Sequence, residues 1–150
     1  MGFFDFISKK INTIDVWKDN NTGLMWQLDI DTRLMTWLEA NEYVKNINNM
    51  NYGGYSDWRL PTIEELEFVH RYKNLDIAWK YKEKGISISD FSRAFYWSST
   101  LLGDRVEKIL DLNSVSQQDM NNKVWNICIS NAIAGYDDKS DKQCVRLVRG

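Results

Sequence analysis

The chain is poor in the residues that build reaction centres and covalent frameworks. Its single histidine, His70, excludes a metal site made from several histidines. On a predicted helix beside Glu67, Arg71 and Lys73 it reads as a surface or rim residue. Two cysteines, Cys128 and Cys144, are too few for a disulfide framework. Nothing in their surroundings pairs either with a base, so no cysteine–histidine nucleophile is indicated. The one proline, Pro61, leaves the second half of the chain with none. No apolar run approaches the roughly 20 residues that span a bilayer. No block of like charge stands out either: the formal charge is −2, spread along the chain, which argues against a nucleic-acid groove needing a concentrated basic face. Met1 to Lys10 runs apolar then basic, the reverse of a secretory signal, and Phe6 occupies the place where a myristoylation signal needs Ser or Thr. That leaves the cytoplasm as the default compartment, with residues 1–12 as a short amphipathic turn and 13–150 as one domain.

What is abundant is aromatic. Seven Trp, seven Tyr and six Phe stand in 150 residues of which 43% are hydrophobic and 27% charged. Such rings fill a core or a contact surface. A chain of this length buries roughly 70% of the surface its unfolded form exposes, enough for a core without disulfides or metal.

Local signals place the elements. Two short apolar runs, 13–17 and 23–28, flank Asp19-Asn20-Asn21-Thr22-Gly23 and predict a hairpin. Thr36 with Glu39 has capping-box spacing, and Trp37, Ala40, Val44 and Ile47 recur at helical intervals. Gly53-Gly54 and Asp57 predict a sharp turn, Trp58-Arg59-Leu60 a short strand, and Pro61 its end. Thr62 and Glu65 form a second capping box, opening a helix over 63–72 with Ile63, Leu66 and Val69 inward. Residues 75–84 predict a third helical segment stopped by Gly85. Tyr96-Trp97-Ser98-Ser99-Thr100 and 106–112 read as strands. Residues 124–130 and 143–149 read as the closing antiparallel pair around a polar loop, 131–142. In that arrangement Cys128 and Cys144 fall on neighbouring strands, where a bridge is open, although the absence of an export signal favours free, buried thiols. Helices early and strands late predict α+β, with two main helices packed on small antiparallel sheets and a closing C-terminal hairpin.

Taken together, Thr22-Gly23-Leu24-Met25-Trp26, Thr36-Trp37, Gly54-Tyr55-Ser56-Asp57-Trp58-Arg59-Leu60-Pro61-Thr62, Tyr96-Trp97-Ser98-Ser99-Thr100, Val124-Trp125 and Val145-Arg146-Leu147-Val148-Arg149 resemble, in order, the DUF1566 family, the C-terminal domain type of the Legionella collagen-like adhesin. The resemblance implies a C-type-lectin-like fold. It makes Trp58, Arg59, Pro61, Thr62, Glu65, Trp97, Ser98, Ser99, Arg146 and Arg149 a structural signature. Relatives of this family look exported, which the N-terminal residues here do not match. Leu147 stands where the family often has Cys, and residues 101–123 form a longer link than usual.

The calcium-dependent lectins of the wider fold hold sugar and calcium with Trp-Asn-Asp and a proline-centred triplet. Here Trp125-Asn126 is followed by Ile127, so that site is not expected. Nor does either cysteine match the context of the formylglycine-generating enzymes that share the wider fold. Asp137, Asp138 and Asp141 offer hard oxygens, yet a solvated loop explains them with fewer demands than the six to eight ligands calcium takes. Trp97, Ser98 and Ser99 read either as a stacking platform or as a core strand whose hydroxyls bond the backbone. One of Arg146 and Arg149 is expected to meet a carboxylate such as Asp57 or Glu65 while the other is exposed.

The expected function is non-enzymatic recognition of a protein or glycan, with no cofactor and no metal, through loops of the C-terminal half. The candidate contacts are Arg105, Asp119 and Asn121 in the long link and Tyr136, Asp137, Asp138, Lys139 and Asp141 after it. The competing expectation is an accessory subunit that docks a larger bacterial or phage assembly through exposed aromatics and Phe3, Phe4 and Phe6.

Overall fold

The computed structural model describes residues 16–27, 33–72, 95–128 and 131–150. The N-terminal turn and the helical segment expected over 75–84 lie outside them.

The first hairpin forms from β1 (Val16–Lys18) and β2 (Met25–Gln27), with Trp17 opposite Trp26. Its turn is tied by Asp19, whose carboxylate accepts from the Asn21 N–H at 3.1 Å and the Thr22 hydroxyl at 2.7 Å, while Gly23 takes a φ of 75°.

Helix α1 (Trp37–Asn49) starts where the capping box predicts. The Thr36 hydroxyl accepts from Glu39 N at 3.2 Å and the Glu39 carboxylate accepts from Thr36 N at 2.8 Å. Its buried row is Ala40, Tyr43 and Ile47, with Trp37 and Val44 packed at the margins. Tyr43 belongs to that row because its hydroxyl has a buried partner, the Gln27 side-chain amide at 2.8 Å. The chain then reverses through left-handed angles at Asn51, Gly53 and Gly54.

Trp58-Arg59-Leu60 is reduced to a single bridge: Arg59 and Val148 exchange N–H···O bonds of 2.9 and 3.0 Å. Pro61 ends it and leaves its carbonyl to Ser99 N at 2.8 Å. Helix α2 (Ile63–Tyr72) follows, with Thr62 and Glu65 closing the second capping box at 3.2 and 2.8 Å. Ile63, Leu66 and Val69 face the core.

β3 (Phe95–Leu101), β4 (Lys123–Cys128) and β5 (Ala134–Asp138) form one antiparallel sheet; β1, β2 and β6 (Val148–Arg149) form the other. The architecture is α+β as expected. Two hydrophobic clusters fill it. One gathers Trp26, Leu66, Tyr96 and Trp125 around α2; the other gathers Tyr43, Trp58, Trp97 and Leu147 around α1.

Two expectations need correction. Residues 106–112 are no strand: they run from the end of one 3-10 turn, Leu102–Lys108, to the start of another, Leu112–Ser114. The buried residues of the first turn and its C-cap, Leu102, Arg105 and Ile109, recur every three to four positions, whereas a strand would bury every second one. The closing hairpin pairs β4, where a strand was expected, with β5, which lies inside the stretch read as a polar loop. Between them Ala132 takes a φ of 56° and donates its N–H to Cys128 O at 2.9 Å. Closing so short a loop costs less entropy than pairing 124–130 with 143–149. Gly135 and the two aspartates hid the strand, since these residues are scarce in sheets. Residues 143–149 instead stitch separate parts together, bridging Met35, Tyr96 and Arg59 before joining β2. Cys128 and Cys144 therefore flank β3 from opposite sides, both meeting Phe95, and no disulfide joins them.

Candidate functional site

Of the signature residues, Trp58, Arg59, Pro61, Thr62, Glu65 and Arg149 meet at the corner between the two helices. Trp58 is 2% exposed; its indole N–H donates to Tyr52 O at 2.8 Å and its ring meets Tyr52 edge-on at 5.5 Å. The Asn48 amide clamps it from α1, donating to Trp58 O at 2.8 Å and accepting from Trp58 N at 2.7 Å. Arg59 meets Glu65 through a bidentate pair of 2.7 and 2.8 Å. Burial pushes the Glu65 carboxyl up, but the bonds from Arg59 and Thr62 outweigh it and hold it below the usual range.

The two C-terminal arginines separate in an unexpected way. Arg149 forms a two-bond pair with the exposed Asp57, at 2.6 and 3.1 Å, and lies 3.7 Å above the Tyr55 ring centre. Its hydrogen bond lowers the Asp57 pKa. Arg146, expected to be the exposed member if Arg149 is paired, is instead fully enclosed: its guanidinium lies 5.0 Å above the Tyr96 ring and reaches the Tyr96 hydroxyl at 3.4 Å. Burial draws its pKa down to about 9. His70 completes this column, stacked on Tyr96 at 5.7 Å. It is 3% exposed, not a surface residue, and neither ring nitrogen has a hydrogen-bond partner among the described residues. Burial, reinforced by Arg146, lowers its pKa to about 3, so it is neutral at pH 7. Helical spacing could have shown this: His70 follows Ile63 and Leu66 on the same buried face.

Trp97, Ser98 and Ser99 build the core strand. Trp97 is completely buried and donates to Met35 O at 2.8 Å; Ser98 Oγ donates to Trp125 O at 2.7 Å; Ser99 bonds Pro61 O. No ring face is left for a ligand to stack on.

The candidate contacts of the C-terminal half divide into three places. Arg105 is 8% exposed, reaching Glu64 at 3.2 Å and Glu67 at 3.5 Å and lying 5.3 Å above Trp125. Tyr136 meets the same Trp125 ring edge-on at 5.3 Å. Asp137 sits on the opposite face of the sheet and accepts from the amides of Asn126 at 2.7 Å and Gln143 at 2.6 Å. The others gather at one end. Helix α3 (Gln117–Asn122) opens on the Ser116–Asp119 capping box, and Asn122 O accepts from Lys139 N at 3.0 Å, joining the long link to the turn after β5. In that turn Asp138 accepts from Ser140 N and Oγ, and Asp141 accepts from Asp138 N. The Ser140 and Ser116 backbone donors lower the Asp138 and Asp119 pKa values respectively. Lys139 lies 4.8 Å above Trp37. Among the described residues no group of three or more His, Cys, Asp or Glu is placed to hold a metal ion.

The link points apolar side chains outward: Val106 and Leu112 on its 3-10 turns and, between them, a completely exposed Leu110. Beside them lies a cleft of about 340 Å³ between the first turn and α3, lined by Leu101, Asp104, Val106, Gln117, Met120 and Asn121 among others. Asp104 and Gln117 were missed. The Ser116-x-x-Asp119 spacing, the same sign that located α1 and α2, would have put Gln117 and Asn121 on one helix face. A second groove, about 410 Å³ and mainly apolar, lies along α1 at Leu34, Met35 and Leu38 with Glu39 and Glu42 at its rim. No helix among the described residues is long and apolar enough to cross a membrane.

No match to a curated protein was found. The sequence model of the Lcl C-terminal domain family matches residues 15–149, nearly the whole chain and every part of the corner and the link just described. The chain belongs to the Lcl C-terminal domain family.

Proposed function

We propose that this chain is a non-enzymatic recognition module of the adhesin type, with a C-type-lectin-like arrangement, that binds a protein or glycan through the loops of its C-terminal half. The observation that carries this reading is the ordered, outward-facing surface of the link. Val106 and Leu112 stand in solvent on 3-10 turns, their carbonyls accepting from Ile109 N and Val115 N, and Leu110 is completely exposed between the two turns, next to buried Ile109. A backbone held in that way loses little further entropy when a partner covers the side chains it carries. The burial of His70 also supports a non-enzymatic reading, because the one imidazole is enclosed and neutral where a proton shuttle would need access.

The test is a glycan array run with and without calcium beside capture of proteins from the source organism, followed by alanine substitution across 101–123 and 136–141. Ligand binding unchanged by both sets would remove the site from these loops. A second reading, an accessory subunit of a larger assembly, is favoured by the α1 groove, where Leu38 is 71% exposed. Deleting residues 1–10 and substituting Leu38→Asp separate the two: lost assembly with retained folding favours the subunit.

A further inference from the structure

The cleft between the first 3-10 turn and α3 has a lining that selects among ligand classes. Gln117 and Asn121 lie four residues apart on one face of α3, and neither side-chain amide has a hydrogen-bond partner among the described residues. The Asp104 carboxylate uses one oxygen to accept from Leu101 N at 3.1 Å, leaving the other unengaged among the described residues. Val106 and Met120 supply apolar contact. Gly103 sets the spacing of the walls, since a Cβ there would stand 3.2 Å from Met120 O and 3.3 Å from Met120 Cβ. The two halves approach as closely as they do because that side chain is absent.

We infer that this cleft binds a neutral polyol of monosaccharide size without calcium. The inference rests on the recognition-module reading and narrows its ligand. Each primary amide both donates and accepts, as does each hydroxyl of a sugar, so Gln117 and Asn121 can be matched on both sides. An ammonium ion only donates and leaves the amide N–H groups unmatched. An anion meets Asp104, the one charge in the lining, with no cation to offset it: Arg105 is drawn to Glu64 and Glu67, and Lys123 toward Asp119. The volume, about 340 Å³, is at the small end of ligand sites and suits one ring and its hydroxyls. The C–H face of such a ring can rest on Val106 and Met120.

The test is NMR titration of the full chain with methyl glucoside, methyl mannoside and methyl galactoside, then methyl glucuronide, glucosamine and lysine amide, all with EDTA present. The readouts are the Gln117 and Asn121 side-chain amide signals and the Met120 methyl. At least one neutral glycoside should give saturable shifts at millimolar concentration, with the glucuronide about tenfold weaker, the affinity ratio that corresponds to about 1.4 kcal/mol. Asn121→Ala, which removes no side-chain hydrogen bond among the described residues, should weaken the neutral sugar about fivefold or more. Asp104→Asn should narrow the gap between neutral and acidic sugars. Silence of these three signals with every neutral glycoside overturns the inference, as does tighter binding of lysine amide, which would make the cleft a receptor for a basic side chain. Sugar-dependent shifts confined to 136–141 also overturn it while leaving the recognition module standing. Glycan or protein binding that survives alanine substitution across both loops defeats the module reading itself.

Discussion

The Trp58 corner and the 101–123 link are built from similar materials and use them in opposite ways. At the corner the aromatic ring is enclosed, its backbone is clamped by Asn48, and the adjacent Arg59 and Arg149 each hold a carboxylate in two bonds. In the link, Leu110 and Val106 face solvent, while the Gln117 and Asn121 amides are left without partners among the described residues. The corner spends its chemistry on itself. The link keeps its chemistry available, and this is where a ligand can be met without dismantling the fold.

The sharpest way to break this contrast is Trp58→Ala. It removes a large buried side chain, an edge-on contact and a hydrogen bond to Tyr52, so about 3–5 kcal/mol of unfolding free energy should be lost in urea denaturation. A loss below about 1 kcal/mol would mean the corner is not the anchor its packing implies. Asn48→Ala follows at about 2–3 kcal/mol, because two backbone groups of Trp58 lose their partners at once.

The legibility of the two regions differed for a physical reason. Thr36, Glu39, Thr62, Glu65, Gly53, Gly54 and Pro61 act through local backbone geometry, and their spacing alone located α1, α2 and the turn between them. The buried column of His70, Tyr96 and Arg146 depends on three elements meeting, so charge near His70 in sequence suggested a surface that does not exist. β5 was hidden because its Gly135 and aspartates lack strand propensity, and pairing with β4 supplies the stability that propensity does not. In the link, apolar spacing suggested a strand although its period was nearer that of a helical turn. The ligand candidates were chosen by residue type, and type cannot show that Asp137 is engaged by Asn126 and Gln143 while Asn121 is open.

Acid offers a third probe of the enclosed side. The folded-state pKa of His70 is about 3, below its ordinary value of 6.5, so the native state binds this proton less readily than the unfolded state. Stability from this group is complete above pH 6.5 and falls as pH drops toward 3. The loss should reach ~2 kcal/mol at pH 5, at about 1.4 kcal/mol per pH unit. His70→Phe should flatten that part of the profile between pH 6.5 and 4 in urea titrations repeated at each pH, whereas Asn121→Ala should leave its slope unchanged. An identical acid slope in the His70→Phe chain would show that other groups carry it.

The smallest expected effect on stability is the one that most sharpens the comparison. Leu110→Ser replaces a completely exposed leucine in the bend between the two 3-10 turns. Its unfolding free energy should stay within about 0.5 kcal/mol of the parent, the range of surface substitutions away from structural features. If the link serves recognition, the same change should weaken capture of a protein ligand, because burial of a leucine side chain contributes roughly 1.5–3 kcal/mol. A stability loss above about 1 kcal/mol would instead assign Leu110 a packing role and make the link part of the scaffold. Unchanged stability with unchanged capture would leave the scaffold intact and move the protein-binding surface away from Leu110, toward the apolar groove along α1.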